Sequence, residues 1–219
     1  MYEKEKELLK AKNEFTTEDL LLIIKILRGK DGCPWDAEQT HESIIPGLIE
    51  ETYETVEAIE MGSAEMLCEE LGDVLLQIAF HSDISADAGE FNYTDVVSGV
   101  CRKMIVRHPH VFGDTHVENS AEVLKNWDKI KADTKSQSGL YEKLSSVAKP
   151  LPALMRAQKL VHKAAKENVK PREDLLSGSE GEAANALLNA IYKCEELDLN
   201  AETVLRNLSD AFIEQVKGE

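Results

Sequence analysis

Five glutamates stand in the eleven residues EETYETVEAIE, Glu50 to Glu60, and a second acidic group, EELGD, runs from Glu69 to Asp73. At about 100° per residue, Glu54 and Glu57 each fall within about 40° of Glu50 on a helix, with Glu51 about 100° from Glu50. Leu48, Ile49, Val56 and Ile59 gather on the other side, so the acids first read as a solvated face opposing a buried one. Solvated faces usually mix signs, because like charges four apart cost a helix about 0.2–0.5 kcal/mol and opposite charges return as much. Here the opposite charges are missing. Between Asp31 and Cys101 there are 17 acidic residues and no lysine or arginine, so that of a net charge of −16 the remainder of the chain carries +1.

Glu70 and Asp73 border the apolar stripe of Leu67, Leu71, Val74 and Ile78, which points them at a neighbouring helix. Two helices joined by a short turn pack antiparallel, and EExxE on one can then meet ExxD on the other. Carboxylates gathered round one space repel until a cation or protons neutralise them. Donor sets made of oxygen alone select a hard ion, Mg²⁺ or Mn²⁺, over zinc or copper. A di-iron bundle would need ExxH, a spacing that neither His41 nor His81 supplies. Magnesium held by carboxylates usually presents phosphates, and phosphates want cations opposite. Lys103 and Arg107, spaced i, i+4, offer that pair, although a helix C-terminus alone would also favour them.

These residues need elements to position them, and the periodicity is helical throughout. A first helix is predicted from about Thr17 to Leu27, capped by Thr16 or Thr17. RGKDGCPWD then breaks the pattern and puts Cys33, Trp35 and Asp36 on a loop. Helices are predicted from about Ser43 to Met61, Glu65 to Ser82 and Tyr93 to Val106, the last stopped by Pro109. A short amphipathic helix around Trp127 leads into a polar linker ending near Gly139, and helical pattern resumes from LPALMRAQKL, interrupted by PREDLLSGSEGE. The expected domains are therefore 1–138 and 139–219. The second half also looks like a weak copy of the first: Asp73-Val74-Leu75 aligns with Ala186-Leu187-Leu188 and, after a shift expected in the connecting loop, FNYTDVV with LNAETVL. Glu70, Asp73, Lys103 and Arg107 then meet Ala183, Ala186, Ala211 and Gln215, so the copy has lost every charge of interest.

Composition narrows the function classes. The acidic balance excludes a nucleic-acid backbone as partner, since such binders present a basic face. No apolar run approaches a membrane span and the charged start is not a secretory leader, so a cytoplasmic protein without membrane contact is expected. Cys33, Cys68, Cys101 and Cys194 form no CxxC pair and read as reduced structural thiols. His41, His81, His108 and His110 show no metal spacing and read as capping or surface residues.

The segments GCPWDAEQTHESIIPGLIEETYE, EELGDVLLQIAFHS, RHPHVF and NWDKIK, in that order, resemble the MazG-type nucleoside triphosphate pyrophosphohydrolases over roughly Phe15 to Lys135. The resemblance implies an all-α, dimerising MazG-like helical bundle that cleaves nucleoside triphosphates and their deoxy forms between the α and β phosphates with Mg²⁺, Mn²⁺ being a possible substitute. By position, Glu51, Glu54, Glu70 and Asp73 would ligate metal, and Glu50 would ligate or orient the attacking water. Lys103, Arg107 and Lys131 would neutralise phosphates, and Trp35 or Trp127 would stack on the nucleoside. Where the family often has paired arginines before HPHVF, this chain has Val106-Arg107. Its second half resembles the second domain of longer members but lacks their acids and bases, so a degenerate domain serving packing or dimerisation is expected. Two alternatives stay open at this point: a module that binds Mg-nucleotide without hydrolysing it, and a narrower substrate such as dUTP, dCTP or phosphoribosyl-ATP.

Overall fold

A computed structural model describes residues 2–135, 139–172 and 174–217, without the side chains of Lys125, Asp128, Lys129 and 131–135. Twelve helices and no strand occur among the described residues, the all-α architecture that the periodicity predicts. The chain divides into two compact units, Met1–Val123 and Leu124–Glu219. The expected boundary at 138/139 abuts residues outside the described set.

In the first unit α1 spans Glu3–Lys10 and α2 Thr17–Arg28. Thr16 caps α2 by accepting from the Asp19 amide, while the Asp19 carboxylate accepts from the Thr16 amide. This reciprocal pair satisfies two otherwise orphaned donors. The segment after α2 departs from the expected loop: Pro34–Ala37 forms a one-turn helix, α3. Proline at the first helical position has its φ preset and needs no amide donor, so a residue read as a breaker starts the turn instead.

The central feature is a hairpin of α4, Ile45–Met61, and α5, Ala64–Asp87. Gly62 ends α4 at φ 67° and Ser63 caps α5 by accepting from the Met66 amide. A left-handed C′ glycine followed at once by an N-cap serine turns the chain in two residues and forces the helices antiparallel. Their register is tight: Gly47 lies where a Cβ would come within 2.8 Å of the Gln77 side chain, and Ile44 packs with Phe80, Ala79 and Ile24 in the core. Helix α5 runs five residues past the expected end at Ser82, because Arg28 pairs with Asp83 and Asp87 in its last turns. Asn92 then caps α6, Tyr93–Arg107. Pro109 does not merely stop α6; it opens a further turn, α7, Pro109–Phe112.

Helix α8, Ser120–Lys135, crosses the division between the units. The second unit continues with α9 (Leu140–Ser145), α10 (Ala153–Ala165), α11 (Gly178–Glu196) and α12 (Ala201–Lys217). Val161, Ile191 and Ala201 form its core. Gln158 ties α10 to the start of α12, accepting from the Ala201 amide at 2.8 Å and donating to the Leu199 carbonyl at 2.7 Å. Asn200 caps α12 as Asn92 caps α6. Most of the shift in the repeat alignment is helical, since α5 runs 14 residues past Asp73 and α11 only ten past Ala186.

Candidate metal centre

The hairpin register decides which glutamates meet. Opposite one another lie Gly47 and Gln77, then Glu51 and Asp73, then Glu54 and Glu70, one turn at a time toward Gly62. Glu51, Glu70 and Asp73, all half-buried, each offer one carboxylate oxygen, and the three oxygens lie within 4.8 Å of one another. Burial, then the charges of Asp73 and Glu54, pushes the Glu51 carboxyl above the usual range. Burial, then Glu54, Glu69 and Asp73, does the same to Glu70. Both shifts have one physical meaning: carboxylates are held together partly out of water, and no cation among the described residues offsets their repulsion. Glu54 is exposed at the rim, close enough to act on both. Glu50, also exposed, lies outside the three-oxygen group.

The wheel's assignment of faces is corrected here. The face of α4 turned to α5 carries Ile44, Gly47, Glu51 and Ala58, so Glu51 belongs to the packed face and does not oppose it. Of the apolar set expected to be buried, Leu48 and Val56 are half-buried but Ile49 and Ile59 are open within this unit, 49% and 59% exposed, as are Ile45 and Tyr53 beside them at 48% and 45%. Leu71 and Ile78 on α5 are exposed as well.

Helix α6 returns alongside α5, and Arg107 lies 14 residues past Tyr93 just as Asp73 lies 14 before Asp87. On α6 Arg107 is half-buried and Lys103, one turn nearer the loop, is exposed; neither is among the charges that shift Glu51 or Glu70. Trp35 is placed elsewhere. Its indole is 66% exposed, and its segment is pinned to the far end of α5: Arg28 donates to the Asp36 and Gln39 carbonyls and to Asp83 and Asp87. Asp83 lies about 15 Å along the helix axis from Asp73 at 1.5 Å per residue. Trp127 is half-buried on α8, beyond the division of the units, and the Lys131 side chain lies outside the described residues.

Sequence reasoning missed Arg28 and the pairing of two histidines. His41 and His81, read as capping or surface residues, face each other with Nδ1 atoms 2.7 Å apart. The turn at Gly62-Ser63 was the usable signal, because a hairpin closed there carries the seam from Glu51 and Asp73 on to His41 and His81.

The donor chemistry suits a hard divalent ion: carboxylate oxygens only, with the like-charge repulsion such an ion relieves. Among the described residues this is the one group of three or more candidate ligands. The sequence profile described as the MazG nucleotide pyrophosphohydrolase domain matches residues 39–112, the stretch holding these carboxylates and α6. An uncharacterised Bacillus subtilis protein, YabN, is 49% identical over 150 residues, 68% of this chain and 30% of that one. A nucleoside triphosphate pyrophosphohydrolase of Escherichia coli K12 is 42% identical over 67% of this chain and 56% of its own. The chain thus spans little more than half of the one and under a third of the other. The nucleoside triphosphate pyrophosphohydrolase/pyrophosphatase MazG of Thermotoga maritima is 34% identical over 223 residues, covering 91% of this chain and 84% of that protein. A relative matched over nearly its whole length, with the profile match falling on the helices that gather the carboxylates, places this chain in the MazG family.

Proposed function

We propose that the protein hydrolyses nucleoside and deoxynucleoside triphosphates to the monophosphate and pyrophosphate, with Mg²⁺ as the resident ion and Mn²⁺ able to replace it. The convergence of Glu51, Glu70 and Asp73 inside the matched segment carries the reading. The names of the Escherichia coli and Thermotoga relatives supply the reaction.

Glu51, Glu70 and Asp73 hold the ion and Glu54 completes the set from the rim. When bound, the ion supplies charge neutralisation and orientation for the phosphates. Glu50, exposed beside Glu51, orients the attacking water and accepts its proton as oxygen approaches the α phosphorus in line. Arg107 and Lys103 stabilise the charge that collects on the departing pyrophosphate. Trp35, Trp127 and Lys131 keep, from the resemblance, a part in nucleoside and phosphate binding.

A homodimer belongs to the same reading. The open apolar face of Ile45, Ile49, Tyr53, Ile59, Leu71 and Ile78 surrounds the hairpin that holds the acids, and a second copy would cover it. Residues 1–138 then act as the catalytic domain and 139–219 as a degenerate copy that serves packing.

The test is pyrophosphate release across the eight common nucleoside and deoxynucleoside triphosphates with Mg²⁺, Mn²⁺ or EDTA. Release in Mg²⁺ that EDTA abolishes is expected. Saturable nucleotide binding with no pyrophosphate from any of the eight would overturn the proposal.

A further inference from the structure

The seam that gathers the carboxylates is closed at its other end by an imidazole pair that the catalytic reading does not use. His41 lies in the turn entering α4, and His81 is eight residues past Asp73 on the same side of α5. The rings are near-parallel, at 9°, with centroids 5.0 Å apart. His41 Nε2 is 3.1 Å from the Oγ of Ser85, which is fully buried, and that Oγ is 3.5 Å from Glu90 Oε2. His81 Nε2 is buried without a partner among the described residues.

One proton arrangement satisfies this geometry. His81 carries its proton on Nδ1 and donates to His41 Nδ1; His41 carries its own on Nε2 and donates to Ser85, whose hydroxyl turns to Glu90. The bare nitrogen is then His81 Nε2, a buried acceptor without a donor. The opposite arrangement buries an N–H without an acceptor there, which is the costlier defect. A further proton has no good place, since it would put either that buried N–H on His81 or two N–H groups face to face at the Nδ1 contact. Burial, then the charge of His41, holds His81 below the ordinary imidazole range, in agreement. The other charged groups facing the pair are Glu42, next to His41, and Glu90 beyond Ser85. Leu20, Leu21 and Ile24 of α2, packed on the same core, are apolar, and Asp83 and Asp87 are engaged by Arg28 on the opposite face of α5.

We propose that His41 and His81 are positioning residues for the carboxylate site: as a neutral, hydrogen-bonded pair they lock the start of α4 onto α5, and so fix Glu51 against Glu70 and Asp73. The proposal rests on the cation reading above. It makes divalent-ion affinity fall with acidification through the imidazoles as well as through the carboxylates.

The test measures Mn²⁺ affinity by electron paramagnetic resonance of the free ion, with the full chain, from about pH 7.5 to about pH 5.5. His81→Phe keeps the volume but loses the bond, and weakens Mn²⁺ binding by about tenfold at the upper pH. His81→Asn keeps a donor at the Nδ1 position and binds close to wild type, without the imidazole step seen in wild type on acidification. A purely volumetric role predicts the reverse order, Phe better than Asn, and that order overturns the proposal. So does ¹⁵N spectroscopy of the wild-type imidazoles if His81 carries its proton on Nε2 at neutral pH. If wild type binds no Mn²⁺ at all, the cation reading falls and this one with it; equal binding by all three proteins removes this one alone.

Discussion

Glu51 and Glu70 have carboxyls raised by burial and by their acidic neighbours, and the sign of that shift makes a stability prediction. Their unfolded values lie near 4.5. As pH rises above that, the unfolded chain ionises first and the folded one holds its protons longer, so the metal-free fold loses stability through the window up to the raised values. A bound cation reverses the balance. Thermal melts are therefore expected to show a larger gain on adding Mg²⁺ at about pH 7.5 than at about pH 5, where protons compete with the ion for the raised carboxylates. Glu51→Gln should melt higher than wild type without Mg²⁺ at neutral pH and gain little from the ion. In turnover, Asp73→Asn and Glu54→Gln are expected to lose roughly 10³-fold or more in kcat with circular dichroism unchanged. Full activity in both would sink the assignment of the site. Which residues were acidic enough to matter was plain from a base-free stretch of the sequence. Which of them share one space was not, because Glu50, Glu51 and Glu54 are neighbours in the chain and only the hairpin register separates them.

At the scale of elements, Arg28 shows what a local window cannot see. Its side chain is 7% exposed and joins α2, α3 and α5 through two carboxylates and two carbonyls. The partners on α5 lie 55 and 59 residues away, and without them the polar run Ser82-Asp83 reads as a helix end. Arg28→Met leaves Asp83 half-enclosed without its cation, and urea unfolding is expected to show a loss of about 3 kcal/mol. Arg28→Lys should recover only part, since one ammonium cannot span a forked set of four acceptors. The cap at Thr16 was legible for the opposite reason. Thr16 makes its bonds with Asp19 within four residues, a local pattern that Asn92 with Asp95 repeats in the structure. The faces of α4 were half legible: the wheel finds an apolar side and an acidic side but cannot say which neighbour takes which. Here the hairpin takes the side with Glu51, leaving Ile45, Ile49, Tyr53 and Ile59 open. If a second copy covers that face, Ile49→Glu with Tyr53→Glu should halve the mass seen by light scattering while leaving the monomer helical, because buried charge without a partner is costly at an interface. An unchanged mass would move the interface elsewhere.

At the scale of the whole molecule, the proposed repeat makes the two units different uses of one helical hairpin. Ile191 on α11 is 3% exposed, enclosed with Val161 of α10 and Ala201 of α12, whereas Ile78, its counterpart in the repeat alignment, is 38% exposed. The second unit fills with its own α10 a face that the first leaves open. It also carries alanines, Ala183 and Ala186, where the first carries Glu70 and Asp73. A packed copy needs no counter-ion, and losing the acids removes the repulsion that a metal would otherwise have to relieve. The charge of the chain follows the same division of labour, with a surplus of 17 acids confined between Asp31 and Cys101. Divalent-ion binding should therefore belong to the first unit alone. Isothermal titration with Mn²⁺ is expected to lose all specific heat in the Glu51→Gln, Asp73→Asn double variant, whereas Glu180→Gln with Glu182→Gln, which removes acids from the start of α11, should titrate as wild type. Specific binding that survives the first double variant would place a second ion on the copy, and its alanines could no longer be read as the loss of a site.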